Sequence, residues 1–298
     1  MTDVADPDDP IDLADALGGV DDPDFDGDAA ADDDTPDEHR FESIYDSPKY
    51  YDLLFGSDWQ AEYDFLVGCF DRYTNDSVQR VFEPACGTGR LLIRLARQGL
   101  VVGGCDLNEA AIAYCNDRLD KAGYGRPCVV GDMTAIDAGQ LPGEGFVDAS
   151  FNTINSFRHL GSEDLAAAHL TSLAEVTRPG GLYVLGLHLL PTRGTRSEEE
   201  AWTARRGTLQ VNSYMWSKGL DGRDEILGMT LDVWTPTSHR RIEDEMRYFT
   251  YTREQLTGLL DRVGCWEIVA THDFAYDLSH PTLVDETTED VVYVLRRR

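Results

Sequence analysis

Three acidic residues end three successive predicted strands, and a glycine-rich turn follows the first of them. The stretch "VFEPACGTGR" carries Glu83 before the turn and Gly87 and Gly89 within it. Asp106 ends "VVGGCD", and Asp132 ends the third strand in "VVGDMT". Parallel sheets flanked by helices bind ligands at the carboxyl ends of their strands. The three carboxylates are therefore expected to face one ligand, which the flexible glycine backbone can approach closely.

Phosphate ligands fit this arrangement poorly. A P-loop would require a lysine directly after a glycine of the turn, and none is present. A dinucleotide fingerprint would require a third glycine, where the chain has Leu92. The Glu83 carboxylate would also repel a pyrophosphate at a cost of several kcal/mol, and only Arg90 in the turn could compensate. Nucleoside triphosphates and NAD(P) are thus disfavoured.

S-adenosylmethionine satisfies the same constraints because it has no phosphate and carries both an ammonium and a sulfonium. Glu83 would then face a cationic ligand. Asp106 follows Gly87 by nineteen residues, and its carboxylate can accept both ribose hydroxyls, as an acid does in dinucleotide folds. Asp132 can accept a hydrogen bond from the adenine amino group, with Met133 packed on the ring. The ordered set of acids favours this cofactor.

These residues resemble the class I S-adenosylmethionine-dependent methyltransferase family. "FEPACGTGR" is similar to its first motif, which usually has Asp at the position of Glu83. "GGCDLNEAAIAYC" resembles the second motif, "VVGDM" the third, and "LAEVTRPGGLYVL" the late helix, turn and strand. The resemblance covers roughly residues 79–190. The cofactor-binding residues that it implies are Tyr51, Glu83, Ala85, Cys86, Gly87, Gly89, Asp106, Leu107, Asp132, Met133 and Asn152.

Two shorter stretches sharpen the resemblance. "NTINSFRHL" is similar to a segment of glycine and sugar-amine N-methyltransferases, and it implies a substrate-binding role for Asn155 and a catalytic role for His159. "YDSPKYYDLLF" resembles the N-terminal lid of those enzymes, whose tyrosines close over the cofactor. Tyr45 and Tyr51 are the matching tyrosines, and Tyr45 is the second candidate catalytic residue.

Each assignment has a structural alternative. Glu83 could cap the helix after the turn, and Asp106 could cap the helix in "NEAAIAYC". Asp132 could be an ordinary turn residue, and His159 an ordinary residue at the start of a helix. The asparagines of "NTINSF", including Asn155, could satisfy backbone groups only.

Methyl transfer is an in-line displacement in which the protein supplies alignment and desolvation, so no catalytic triad is expected and none is visible. The leading function is methylation of a nitrogen or oxygen of a small molecule. A protein methyltransferase and a catalytically silent cofactor-binding scaffold remain alternatives. The [DNS]PP[YF] and Pro-Cys motifs of DNA-methylating enzymes are absent after the fourth strand, where the chain reads "FNTINSF".

Short apolar strands alternate with helices of 10 to 17 residues from "QRVFEP" to "GLYVLGLHLL", which predicts βαβ units. The fold class is therefore α/β: a doubly wound, Rossmann-like, mostly parallel seven-stranded sheet. Beyond Leu190, polar and apolar residues alternate and predict an antiparallel β insertion. Ser57 with Gln60, and Thr252 with Gln255, predict capping boxes for two helices.

The predicted organisation has five parts. These are a disordered acidic tail (1–40), lid helices (41–76), the cofactor-binding core (77–190), an antiparallel insertion that roofs the substrate (191–250), and a final helix and strands that complete the core sheet (251–298). The tail is assigned from its sixteen acids against one base and its few large apolar residues.

The 298 residues carry a formal net charge of −29, which disfavours an extended nucleic-acid surface. No apolar run is long enough for a membrane span, and the acidic N-terminus is unlike a secretory signal. A cytoplasmic protein with a small-molecule partner is expected. The six cysteines show no CxxC spacing, so buried reduced thiols and no metal site are expected.

Overall fold

A computed structural model describes residues 38–41, 43–197 and 199–298. The predicted disorder of the tail therefore falls, up to residue 37, outside the described residues. Residues Glu38–Phe41 form strand β1, so regular structure begins three residues before Phe41, where the sequence predicts order to start. Backbone pairing with a neighbouring strand overrides the local composition there.

The larger sheet has seven strands in the order β11-β12-β6-β5-β2-β3-β4. Its strands are β2 (Arg80–Pro84), β3 (Val101–Asp106), β4 (Cys128–Val130), β5 (Val147–Asn152), β6 (Thr177–His188), β11 (Trp266–His272) and β12 (Asp290–Arg297). The strands from β2 to β6 pair in parallel, whereas β12 runs antiparallel to β6 and β11 antiparallel to β12. The predicted mostly parallel seven-stranded sheet is confirmed.

Helices cover both faces of this sheet. They are α1 (Pro48–Gly56), α2 (Gln60–Tyr73), α3 (Leu92–Arg97), α4 (Glu109–Lys121), α5 (Glu163–Val176) and α6 (Arg253–Val263). Neighbouring strand residues point to opposite faces: Val81 joins the apolar core under α2, α3 and α4, and Phe82 joins the core under α5 and α6. None of the described helices combines the length and apolar character that a membrane crossing needs.

A second, five-stranded sheet, here called the roof sheet, has the order β1-β10-β9-β8-β7. It contains β7 (Glu199–Arg206), β8 (Leu209–Asp221), β9 (Asp224–Trp234) and β10 (His239–Phe249), all antiparallel, with β1 parallel to β10. Three of these strands match the predicted insertion. Strand β7 was not predicted, because "EEAWTARR" is rich in charge, as an edge strand can be.

One capping box is confirmed and one is wrong. Thr252 and Gln255 cap α6 reciprocally. Helix α2 instead begins after Trp59 without a side-chain cap. The Ser57 hydroxyl donates to the Leu53 carbonyl at the end of α1, because that helix runs on to Gly56 and leaves its last carbonyls without helical partners.

Candidate functional site

The three predicted acids lie at the carboxyl ends of three adjacent strands. Glu83 is the penultimate residue of β2, Asp106 ends β3, and Asp132 follows β4 by two residues. We call this edge, together with Asn152 at the end of β5, the strand-end rim. Along the rim the acids pass from buried Glu83 through half-buried Asp106 to exposed Asp132. The rim therefore offers a ligand one deep charge and two shallower ones.

Glu83 is the unusual member of the rim because it is 7% exposed and its Oε2 has no hydrogen-bond partner among the described residues. On the neighbouring strand, Asn152 donates its Nδ2 to the Pro84 carbonyl at 3.0 Å, and its Oδ1 likewise has no partner there. Burial raises the pKa of Glu83 well above its usual value. Buried acceptors without donors are costly, so this part of the rim is suited to a ligand that brings N–H donors and positive charge.

The glycine turn presents backbone to the rim. Ala85, Gly87 and Gly89 all have positive φ, of 54°, 53° and 68°. A Cβ on Gly89 would lie 2.3 Å from the Cys115 sulfur, so packing beneath the turn excludes a side chain there. The Cys86 side chain is 5% exposed and lies against Gly104, so Cys86 can meet a ligand only through its backbone.

Arg90 does not serve the turn as a charge for phosphate. Its guanidinium binds both carboxylate oxygens of Glu62, at 2.5 and 2.6 Å, and both side chains are buried. This pair fixes α2 against the turn. Because the guanidinium of Arg90 is bound to Glu62, it forms no hydrogen bond with Glu83. This arrangement agrees with a cationic, phosphate-free ligand.

Asp106 is held by backbone donors. Its Oδ2 accepts from the Gly87 N–H at 2.8 Å and its Oδ1 from the Asn108 N–H at 2.9 Å. Burial raises the pKa of Asp106, against these hydrogen bonds, which lower it. Asn108, and not Asp106, is the N-cap of α4. Each carboxylate oxygen of Asp106 keeps a lone pair for a further donor, and the neighbouring Leu107 is 72% exposed beside it.

Asp132, Met133 and Asn155 complete the predicted site residues near the rim. Asp132 caps the 3-10 turn Met133–Ala135 by accepting from the Thr134 N–H, which is the structural alternative foreseen for it, while its side chain remains exposed. Met133 is half-buried. Asn155 has φ 53°, and its Oδ1 accepts from the His188 N–H at 2.8 Å. A substrate contact of Asn155 therefore stays a prediction that would have to use its Nδ2.

Residues 44–56, which we call the lid segment, carry the two predicted tyrosines over the turn. The Tyr51 ring lies 3.8 Å from where a Cβ on Gly87 would stand. The rings of Tyr51 and Tyr45 are 5.4 Å apart. Buried Asp52 fixes the segment to the core, because its Oδ1 lies 2.6 Å from Arg118 and accepts from the Thr88 hydroxyl at 3.0 Å.

His159 meets the lid segment at Tyr45. The Tyr45 hydroxyl is 3.0 Å from His159 Nε2, and the His159 ring lies 4.8 Å from that of Tyr248. His159 is partly exposed to solvent, but the protein around the rest of its ring, together with the nearby Arg158 charge, lowers its pKa to about 4. Burial raises the pKa of Tyr45 well above its usual value. At neutral pH the pair is thus a neutral imidazole beside a protonated phenol, and it can accept a proton.

A cleft, here called the roof pocket, lies beyond Tyr248. Core and roof sheet both line it. The residues that line it include Arg158, Glu200, Trp216, Glu225, Tyr248 and Glu289. A line of aromatic contacts through Tyr51, Tyr45 and His159 therefore connects the glycine turn to this pocket.

An ion network forms one wall of the roof pocket. Glu225 lies 2.6 Å from Arg158 and 2.6 Å from Arg196, and its Oε1 accepts from the Ser217 hydroxyl at 2.9 Å. Burial opposes ionisation of Glu225, but Arg158 and these donors lower its pKa overall. Three further glutamates line the pocket: Glu199, Glu200 and Glu289. Among the described residues, its lining contains no lysine, and its arginines are Arg158 and Arg196. The pocket thus has an excess of negative charge.

Sequence reasoning predicted an insertion that roofs the substrate, but it named none of the side chains that line the roof pocket. Glu225 and Arg158 are 67 residues apart and meet only through the pairing of β8, β9 and β10. It also missed that the fold brings the sulfurs of Cys86, Cys115 and Cys128 together. No spacing signal could have revealed either, because each set comes from separate elements.

Comparisons with known proteins agree with this geometry. A family model described as "Methyltransferase domain" matches residues 81–181. The glycine N-methyltransferase of Mus musculus is 31% identical over 135 residues, covering 42% of this chain and 45% of that protein. A dTDP-4-amino-2,3,4,6-tetradeoxy-D-glucose N,N-dimethyltransferase of Saccharopolyspora spinosa is 24% identical over 231 residues, covering 74% and 87%.

The fold is also that of a solved relative. The structure of an amino pentose methyltransferase from Micromonospora echinaspora, with S-adenosylmethionine bound, superimposes with a TM-score of 0.65 at 20% identity, covering 88% of this chain and 100% of that one. The matched domain, the shared fold and the rim of acids around a glycine turn lead to one assignment. The chain carries a class I S-adenosylmethionine-dependent methyltransferase domain over residues 81–181, and the proteins similar to it include glycine and sugar-amine N-methyltransferases.

Proposed function

We propose that this enzyme methylates an amine nitrogen of a small molecule held in the roof pocket. The observation that carries the proposal is the acid-rich pocket wall, joined to the strand-end rim by neutral His159. An acidic wall attracts a protonated amine, and the imidazole can take up the proton that the nitrogen must lose before or during methylation.

The residues at the rim fit the cofactor of the family. The buried Glu83 and Asn152 oxygens that lack partners would hold its ammonium group. Asp106 would hold the ribose hydroxyls through its remaining lone pairs, and Asp132, Met133 and Leu107 would surround the adenine. Tyr51 would cover the methionyl end from the lid segment. When bound, S-adenosylmethionine supplies an electrophilic methyl group on a sulfonium sulfur.

Residues of the chain then prepare the acceptor. The glutamates of the pocket concentrate a cationic amine, and Trp216 and Tyr248 offer aromatic faces to it. With the Tyr45 hydroxyl donating to Met246 and accepting from the Nε2–H of His159, the ring orientation is fixed and His159 accepts the proton at Nδ1. The closed lid segment excludes water from the space between rim and pocket.

Three of the similar proteins support an amine acceptor by their names alone: glycine, an amino pentose and a nucleotide-linked amino sugar are named for them. The acidic pocket favours an acceptor without phosphate, because a diphosphate would meet the same repulsion here as at the rim. Free amino sugars, amino alcohols and short polyamines are the classes that fit. Nothing in the comparisons favours a silent scaffold or a protein substrate.

A paired acceptor screen tests the proposal. Release of S-adenosylhomocysteine would be measured with each amine and with its hydroxyl analogue. We expect turnover with amines only, and a higher KM in Glu200→Gln, whose carboxylate lies in the pocket. The control Glu254→Gln removes an exposed charge on α6 and should leave KM unchanged. Turnover of the hydroxyl analogues, or equal KM in both variants, would overturn the assignment of the acceptor.

A cytoplasmic location belongs to the same proposal. Its support is that all six cysteines are free, as is usual in a reducing compartment. Detection of the chain in a cell fraction other than the cytosol would contradict it.

A further inference from the structure

Three cysteine side chains meet behind the glycine turn, and neither the cofactor nor the acceptor chemistry uses their thiols. Cys86 comes from the turn after β2, Cys115 from α4 and Cys128 from β4. All three sulfur atoms lie within 4.8 Å of one another, and those of Cys115 and Cys128 are 3.5 Å apart. Their residues are 5%, 0% and 4% exposed.

The spacing of these sulfurs suits a single trigonal metal ion. A metal–sulfur bond of about 2.3 Å places three sulfurs in a planar trigonal site about 4 Å apart. The observed separations run from 3.5 Å to at most 4.8 Å and bracket that value. Side-chain shifts of a few tenths of an ångström would therefore complete the site without any change of backbone.

The donor set selects the kind of ion. Among the described residues, the group that could share a metal here contains cysteines only, and they lie in the apolar core under α3 and α4. A structural zinc ion takes four ligands, whereas hard cations require oxygen. Thiolate ligands without a fourth donor favour a soft monovalent d10 ion.

We propose that Cys86, Cys115 and Cys128 form a binding site for one soft monovalent ion of the Cu(I) class. Binding displaces protons from the thiols, with two released when two thiolates and one thiol coordinate the ion. The site lies behind the turn and not in the cleft, so that the ion does not take the place of cofactor or acceptor.

Titration of the reduced full-length chain with Ag(I), and with Cu(I) under anaerobic conditions, tests the site. We expect one equivalent to bind in the presence of millimolar glutathione, with the ultraviolet absorption of a metal–thiolate bond. Absence of binding under these conditions would overturn the proposal. So would an as-isolated mass that is two hydrogens too low, because Cys115 and Cys128 would then be joined as a disulfide.

A matched pair of variants locates the ion. Cys128→Ala should weaken Ag(I) binding by more than about 100-fold, because even outer-shell changes typically cost about 10- to 100-fold. Cys69→Ala removes an equally buried thiol of the same core outside the cluster and should bind as the unmodified chain does. Equal loss in both variants would refute the site.

X-ray absorption of the loaded, unmodified chain keeps the test independent of how the variants fold. Three sulfur neighbours at one distance are expected. Nitrogen or oxygen neighbours, or two sulfurs only, would contradict a site made by these three cysteines.

Discussion

Glu83 at the strand-end rim and Glu225 in the roof pocket are both buried carboxylates, yet their surroundings are opposite. Glu225 lies between Arg158 and Arg196, and its pKa is lowered on balance. Glu83 leaves an oxygen without a partner among the described residues, and its pKa is raised. The first carboxylate is satisfied by the fold, whereas we infer that a ligand satisfies the second. Pairing thus separates a structural charge from a binding charge more clearly than burial does.

The largest expected effect is on the paired carboxylate. Glu225→Gln removes the shared partner of two arginines and leaves like charges facing each other in a buried wall. We expect a loss of about 3–5 kcal/mol in the free energy of unfolding, as for other buried pairs that lose one member. Urea denaturation of the ligand-free protein measures it.

Glu199→Gln is the matched control, because it removes an exposed carboxylate from the same pocket. Its effect should stay below about 1 kcal/mol, the usual range for a surface charge. If the two variants unfold alike, the distinction between the paired network and the rest of the pocket fails.

Replacing the unpaired carboxylate of Glu83 should raise the free energy of unfolding, whereas replacing Glu225 should lower it. Glu83→Gln should weaken S-adenosylmethionine binding by about 10- to 150-fold, which corresponds to about 1.5–3 kcal/mol for a hydrogen bond between charged groups. The same variant should make the ligand-free protein more stable at neutral pH, because the buried charge is removed. Calorimetry and denaturation give the two quantities separately.

The pH dependence of that stability difference follows from the raised pKa. Below the ordinary pKa of about 4.5, Glu83 is protonated in both the folded and the unfolded chain. In that range the difference in free energy of unfolding between the variant and the parent should not change with pH. As the pH rises above 4.5, only the unfolded chain ionises freely, and the parent loses stability relative to the variant. Glu109→Gln, an exposed carboxylate near the rim, should show neither effect.

The smallest expected effect is at His159, which lies between the two regions. His159→Gln should lower kcat by less than about 100-fold, the lower end of general-base contributions, since an amine can also lose its proton to water. Cofactor affinity should not change. In the parent enzyme the low-pH fall of kcat should follow the His159 pKa of about 4, because the imidazolium cannot accept a proton. An unchanged kcat in the variant, or an unchanged acid limb, would contradict this role.

The sequence predicted the residues of the rim and the insertion above them, but not the side chains of the pocket, for a physical reason. Glu83, Gly87, Asp106 and Asp132 sit at strand ends in contiguous motifs, and parallel pairing brings strand ends together whatever the loops do. The contacts of Glu225 depend instead on the register of long hairpins, where a slip of one residue would turn its side chain to the other face. No local pattern encodes that register.

The errors in the local predictions have related causes. The cap assigned to Ser57 was wrong because α1 extends to the residue before it, so its hydroxyl serves the helix that ends and not the one that begins. Strand β7 was missed because half of its residues are charged, and only its pairing with β8 makes it a strand.

The lid segment contacts both the roof sheet and the core. Its buried side chains Ile44, Leu53 and Leu54 pack on the roof sheet, while Asp52 is tied to Arg118 of the core. Tyr51 and Tyr45 therefore cannot leave the turn and His159 independently. We expect an obligatory order of events in each catalytic cycle: donor first, acceptor second, and release in reverse. Product-inhibition kinetics would reveal this order, and a random-order pattern would mean that the two tyrosines move apart.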